Sequence, residues 1–328
     1  MGFQAEKQVV REYYEALDKA EGEGNTAVLN ARTSSNYIWR GFHPFHMQTK
    51  SQTVSEVFWQ PFRRAVTHMQ RRMDVFFAGD NFIDEGGSVW VCSMGLFDNQ
   101  WLGIQPTGKM IMLRYAEFHK VVEGKIAETA FYFDIPHFMI QAGYAPFPDQ
   151  AAAHLVQPGP MPHDALLFAD AAPSEGQKTL DVMHKMISDL GQWKNDLPLE
   201  EELALSWHDD MIWWGPAGIG ATYTIARYAQ QHSGPFRAGL SDRSGTGHIA
   251  RIAEGDYGGF FGWPNFKAKA TGGYLGLPPS DKSCEFRVID IYRREGDKLK
   301  ENWVFIDMLH FFNQQGIDIL GRLEGTHQ

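Results

Sequence analysis

Apolar and polar positions along this chain follow two periods in turn, and the order of those periods repeats. Near the start Val9, Val10, Tyr13, Tyr14 and Leu17 recur at helical spacing between charges. That spacing predicts a helix from residue 4 to about residue 20. A second short helix is expected from Val28 to Ser35. A short strand Tyr37-Ile38-Trp39 follows, stopped at Gly41, and then a polar loop with His43, Pro44 and His46. Ser51 to Phe62 puts Val54, Val57, Phe58 and Phe62 on one helical face. From Met69 the period becomes that of strands. Met73 to Ala78, Ser88 to Phe97, Met110 to Val122 and Ile126 to Phe133 are β-rich and separated by Gly-containing turns. Ile135 to Ala142 reads as a closing helix.

The second half follows the same plan. Helices are expected at Lys178 to Gln192, Leu199 to Ser206 and Thr222 to Gln231, with a strand from Met211 to Trp214 between them. Strands follow at Gly247 to Ala253, Gly258 to Trp263, Lys282 to Arg294 and Leu299 to Ile306, and a closing helix starts at Leu309. Residues 144 to about 175 hold six prolines, at 146, 148, 158, 160, 162 and 173, so they read as a linker. Helices segregated from an antiparallel meander predict an α+β class. The expected division is 1–145, a linker 146–175, and 176–328.

The two halves also share residues. Arg114 to Gly143 aligns with Arg287 to Gly316 without a gap, at an offset of 173. Arg114/Arg287, Lys125/Lys298, Glu128/Glu301, Asp134/Asp307, His137/His310, Phe138/Phe311, Gln141/Gln314 and Gly143/Gly316 are identical. Upstream, Pro61-Phe62-Arg63 answers Pro235-Phe236-Arg237, and Trp39-Arg40-Gly41 answers Trp213-Trp214-Gly215. An internal repeat decides the architecture before any single element does, and here it predicts two copies of one domain.

Composition narrows the partners. The net charge is −10, which argues against nucleic acid and anionic membranes, since both need a basic face. No run of about twenty apolar residues is present, so no membrane span is expected. The first residues lack the apolar stretch of a signal peptide. The two cysteines, Cys92 and Cys284, fall one in each half, which gives no disulfide framework and makes a cytoplasmic location the expectation.

The landmarks resemble the SnoaL-like polyketide cyclase family, within the nuclear transport factor 2-like superfamily. The first half carries Gly79-Asp80, Gly103-Ile104-Gln105-Pro106-Thr107-Gly108-Lys109, Gly124-Lys125-Ile126-Ala127-Glu128, Asp134 and Gln141-Ala142-Gly143. The second carries Gly255-Asp256, Gly276-Leu277-Pro278-Pro279, Lys298-Leu299-Lys300-Glu301-Asn302-Trp303, Asp307 and Gln314-Gln315-Gly316. Asp281 departs from the glycine of the family turn, and Ala130 departs from the tryptophan kept at Trp303. The resemblance implies tandem cystatin-like cones, each with helices packed on a curved sheet around a pocket. It also implies an intrachain pseudo-dimer, with a further homodimer open. The superfamily hosts cyclases, isomerases, dehydratases, hydrolases and binding modules, so fold alone does not choose among them.

Candidate chemistry centres on the strand before each aspartate. Alternation puts Leu299, Glu301, Trp303, Phe305 and Asp307 on one face, which reads as a pocket wall ending in an acid. Ile126, Glu128, Ala130, Tyr132 and Asp134 correspond in the first copy. A carboxylate in an apolar cone has a raised pKa and suits acid–base work, and the resemblance places a cyclase acid–base aspartate here. Asp134 and Asp307 also stand where a helix N-cap is expected, with the opposite effect on pKa. His137 and His310 are candidate proton relays or packed helix residues. Arg114 and Arg287 either bind an anionic group or neutralise Glu117 and Asp290. Trp39, Trp101, Trp213, Trp214, Trp303 and Tyr132 line a pocket or fill a core. His43-x-x-His46 has no third ligand at fixed spacing, so no metal is expected, and no cofactor motif is present. The two functional classes are a cofactor-independent enzyme on an apolar or aromatic carbonyl compound, and a non-catalytic binding or scaffold protein.

Overall fold

The computed structural model describes residues 2–83, 86–148, 150–153, 159–191 and 197–325, with the backbone alone at 86–93, 191, 324 and 325. In the first half the strands are β1 (Thr33–Gly41), β2 (His46–Gln48), β3 (Val66–Gly79), β4 (Gly86–Phe97), β5 (Met110–Val122) and β6 (Lys125–Phe133). They form one sheet in the order β2-β1-β6-β5-β4-β3. In the second half the strands are β7 (Trp207–Trp214), β8 (Ala221–Tyr223), β9 (Ser241–Gly245), β10 (Ala250–Glu254), β11 (Tyr257–Phe261), β12 (Phe266–Lys269), β13 (Cys284–Phe286), β14 (Val288–Glu295) and β15 (Lys298–Ile306). Six of them repeat the first sheet's order as β8-β7-β15-β14-β11-β10, and β13-β12-β9 form a small separate sheet. The α+β expectation therefore holds in both halves.

The meander is not wholly antiparallel. β1 pairs with β6, and β7 with β15, in parallel. The chain leaves β1 through a hairpin and a helix, adds three strands, and returns beside β1 in the same direction. The expected helix through Ser35 ends at Arg32 instead. Thr33 Oγ1 donates to Leu29 O at 2.7 Å there, and Thr33 already pairs with Ile126. The expected strand from Lys282 to Arg294 is two strands on different sheets, broken at Arg287. The segment of β9 is largely exposed and polar, so apolar alternation could not reveal it.

Each long helix before the meander carries one π turn, at Ser55–Trp59 and at Ala229–Ser233. Each turn is followed two residues later by proline, Pro61 or Pro235. Proline removes one helical N–H and crowds the carbonyl four residues back, and a widened turn accommodates both effects.

The linker lies against both sheets. Phe76 N donates to Ala165 O and Leu167 N to Phe76 O, each at 2.8 Å, and Ala153 bridges Ala221. It thus meets an edge strand of each sheet, β3 and β8, where unpaired backbone groups would otherwise be open. Residues 149 and 154–158 of the linker, Gln192 of the expected helix, and the side chain of Cys92 lie outside the described residues. Cys284 is buried and free. Among the described residues no helix is long and apolar enough to cross a membrane.

The inside of the first cone is packed with rings. Phe58 lies 5.1 Å from both Phe131 and Phe133, centroid to centroid, and Trp59 stacks on Phe131 at 5.7 Å. Trp39, Phe62 and Trp101 complete the cluster. Phe131→Ala is expected to lower unfolding stability by about 3–5 kcal/mol, because it opens a cavity in a packed core. Urea denaturation checks it, and a loss below about 1 kcal/mol would show that the cone tolerates a void.

Candidate active site

Side-chain parity on the central strands decides what faces each cone. On β6 the inward residues are Thr129, Phe131 and Phe133, and on β5 Tyr115 and Glu117 meet them: Tyr115 lies 4.6 Å from Phe131. At the offset of 173 these positions become Asn302, Val304, Ile306, Val288 and Asp290. All five line a cavity of about 400 Å³ in the second cone. At the offset of 174, Phe58 and Trp59 become His232 and Ser233, which line it too. Five bulky aromatic side chains in the first copy have thus given way to smaller ones. The first cone is occupied by its own rings, whereas the second encloses space of the size of a small-molecule site (roughly 300–1,000 Å³).

The cavity wall is mostly apolar. Met186, Ile187 and Leu190 come from the helix Pro173–Gly191, Trp207 and Trp213 from β7, and Phe260 from β11. Polar groups share the lining, with Arg237, Arg243, His248, Arg251 and Asn265 among them. Asp290 presents its open surface to the cavity, and Asn302 Nδ2 donates to its Oδ1 at 3.3 Å. Burial pushes the Asp290 carboxyl up to about 7, against hydrogen bonds from Asn302 and Tyr292 that pull it down. His232 stacks on Trp213 at 4.0 Å, and its Nδ1 is buried without a partner. Burial lowers its pKa to about 3, so the ring is neutral. Toward the rim, Arg251 Nε donates to His248 Nδ1 at 2.8 Å, and Arg243 sits on exposed β9.

The first copy treats the equivalent carboxylate differently. Glu117 accepts from Tyr14 Oη at 2.5 Å and lies 3.7 Å from Arg71 Nη1. Burial opposes its ionisation, but His119, Arg71 and Tyr14 together hold it below the usual range. Counted at the offset of 174, the place of Arg71 is Gly245. The second copy therefore keeps a half-buried acid and has no cation at that one position, although Arg237, Arg243 and Arg251 line the cavity elsewhere.

The expected wall residues lie on the other face of β15. Phe305 packs under the Arg114 guanidinium of the first half at 4.3 Å, and Glu301 accepts from Arg293 Nε at 2.5 Å. Trp303 is fully buried on this same face. Neither Asp134 nor Asp307 lines the cavity. Asp134 caps its helix, accepting from His137 N at 2.9 Å. Its Oδ2 also accepts from Ala217 N and Arg114 Nη1, both at 2.9 Å. Asp307 mirrors it, accepting from His310 N at 3.2 Å and from His43 N at 2.9 Å. Ala217 and His43 are equivalent positions at the offset of 174, so each cap is completed by the opposite copy. This is the reciprocity of a two-fold interface. Burial raises Asp307 to about 7, opposed by Arg287 and the two backbone donors.

The arginines serve the same seam. Arg114 pairs with Asp134 and also donates to Gly215 O at 3.0 Å. Arg287 lies 3.7 Å from Asp307 and 3.9 Å from Glu285, over the Trp263 ring. They do not neutralise Glu117 and Asp290, which lie an odd number of residues away and so face the cone. Tyr132 donates to Gly262 O across the seam at 2.8 Å. Trp39 and Trp101 are core residues of the first cone, and Trp214 is half-buried off the cavity wall. Of the expected pocket aromatics, Trp213 lines the cavity. His137 Nδ1 lies 3.2 Å from Gln141 Nε2 at the surface. His310 meets His43 and His46 at the seam, joining two histidines that the sequence left without a third ligand.

Residues 253–315 match the family model described as SnoaL-like polyketide cyclase. That stretch is SnoaL-like. It contains β11, β14 and β15, and therefore much of the cavity wall. The two halves share one six-stranded sheet order, so the chain repeats a single architecture, and the SnoaL-like match falls in its second copy. Solved structures similar to it include a SnoaL-like protein from Jannaschia sp. CCS1, 15% identical, covering 42% of this chain and 93% of its own, with a TM-score of 0.35. A nuclear transport factor 2-like protein from Burkholderia xenovorans LB400 is 12% identical, with coverages of 43% and 97% and a TM-score of 0.35. IdmH from Streptomyces antibioticus, a candidate polyketide cyclase, is 17% identical, with coverages of 41% and 98% and a TM-score of 0.34. No curated protein matches the chain.

Proposed function

We propose that the second, SnoaL-like cone binds a small apolar or aromatic carbonyl compound and transfers protons to and from it through Asp290, without a cofactor. The observation that carries this reading is the pairing of an open apolar cavity with a carboxylic acid that titrates near neutrality. Such a group is present as both base and acid at pH 7, the condition for efficient proton transfer. As carboxylate, Asp290 takes the proton from the carbon beside the substrate carbonyl, and an enolate forms. His232, neutral and with an unpartnered Nδ1, is the donor available to hold the enolate oxygen. The enolate carbon then either regains the proton at another position or attacks a second carbonyl carbon, whose oxygen takes the proton. The first outcome is isomerisation and the second is aldol cyclisation.

A second reading is a non-catalytic binding module. It is favoured by the hydrogen bonds that Asp290 already receives from Asn302 and Tyr292, which anchor it as a wall residue. One pair of experiments separates the two. Binding of a panel of aromatic ketones and β-ketoesters is measured calorimetrically with the wild type and with Val304→Phe, which restores the ring that Phe131 supplies in the first copy. Binding by the wild type and none by the variant is expected. Exchange of the bound compounds' α-protons in D2O, followed by NMR, then supports the enzyme. Binding without exchange would overturn proton transfer and leave the binding module.

A further inference from the structure

We propose that His43, His46 and His310 form a binding site for a divalent transition-metal ion of the zinc class, at the seam between the two cones. One ring nitrogen of each lies within 4.8 Å of those of the other two. His43 lies in the turn between β1 and β2, His46 opens β2, and His310 comes from the first turn of the helix Met308–Gln314. The trio therefore exists only because the halves dock. The site lies outside the second cavity and does not depend on its chemistry.

Two observations support a ligand here. His43 Nδ1 and both ring nitrogens of His310 are buried without hydrogen-bond partners. Polar atoms in that state call for one. The rings meet edge to face, His43 with His46 at 5.2 Å and His46 with His310 at 5.4 Å, so their nitrogens are not hidden by parallel stacking. Three histidines suit zinc and its neighbours, with a fourth position left for water or an outside ligand. Tetrahedral coordination needs nitrogens about 3.4 Å apart, so small ring rotations must close the site.

One bond has to yield. Arg287 Nη1 donates to His46 Nδ1 at 3.1 Å. A metal on Nδ1 displaces it directly, and a metal on Nε2 moves the ring proton to Nδ1, where it opposes the guanidinium. Arg287 is then free to close on Asp307, now 3.7 Å away, whose carboxylate offsets the added charge. Glu285 Oε2, 3.8 Å from His310 Nε2, is a further acid beside the cluster, and Asp318 is close enough to act on His43.

The test uses the full chain, stripped with chelator and titrated with Co²⁺ and Zn²⁺. Co²⁺ gives a visible ligand-field spectrum that reports nitrogen ligation, and Zn²⁺ displaces it. Saturation near one equivalent is expected in the wild type. His46→Ala and His310→Ala should each weaken binding by more than about tenfold, since loss even of an outer partner costs that much. Circular dichroism checks folding, and His46→Ala, on a surface hairpin, decides alone if His310→Ala does not fold. No bound ion in the wild type, or undiminished binding by His46→Ala, overturns the site.

Discussion

Asp290→Asn is expected to lower α-proton exchange of a bound carbonyl compound by about 10²–10⁴-fold, while changing affinity only a few-fold. The side chain keeps its size and one acceptor for Asn302, so the wall survives, but it can no longer take a proton. Stability carries the same signature with a defined sign. The folded carboxyl titrates near 7, above an unfolded value of about 4. The folded state therefore holds a proton that the unfolded state has released. This contribution is complete below about pH 4 and is lost as pH rises through about 7, by at most on the order of 4 kcal/mol. Asparagine is neutral throughout. The variant should thus match the wild type near pH 4 and exceed it at pH 8, read by urea denaturation at both values. Equal wild-type and variant stabilities at pH 8 would mean that Asp290 is ionised without penalty.

Asp134→Ala is expected to cost about 3–5 kcal/mol of unfolding stability. The Arg114 guanidinium is 1% exposed and would face the seam without its carboxylate. The Ala217 N–H and the His137 N–H would lose their acceptor as well, and a lost helix cap alone costs about 1 kcal/mol. The effect should fall partly away in Asp134→Ala/Arg114→Met, because an apolar replacement needs no counter-charge. A double-mutant cycle in urea measures the difference. Independent, additive losses would show that the two side chains do not act as a pair.

These two aspartates mark where the sequence was readable and where it was not. The repeat was legible because eight identities align without a gap over thirty residues. It led to the α+β class and to two copies of one plan, but not to the parallel pairing of β1 with β6 and of β7 with β15, nor to β9. The closing helices and their caps were legible for the same reason. The site was missed by one register step. Trp303 on β15 and Asp307 just past its end are the conspicuous residues, but they belong to the side that docks on the other copy. The cavity face carries Asn302, Val304 and Ile306, which look ordinary in isolation. Parity held a usable signal, because Arg287 and Asp290 cannot share a face. So did comparison of the copies: Phe131 to Val304, Phe133 to Ile306 and Phe58 to His232 all lose volume at inward positions. No local pattern could reveal the histidine cluster, because His310 lies 264 residues beyond His46 and only docking brings them together.

The most direct test of the account is the titration of Asp290 by carboxyl-carbon NMR in the full chain, with Asp290→Asn to assign the signal. Asp307→Asn separates Asp307, whose carboxyl burial also raises to about 7. A resonance with a midpoint near pH 7 that vanishes in Asp290→Asn, and persists in Asp307→Asn, is the predicted result. A midpoint at or below about 4, the ordinary value for aspartate, would contradict it and leave the second cone with a cavity but no neutral-pH acid.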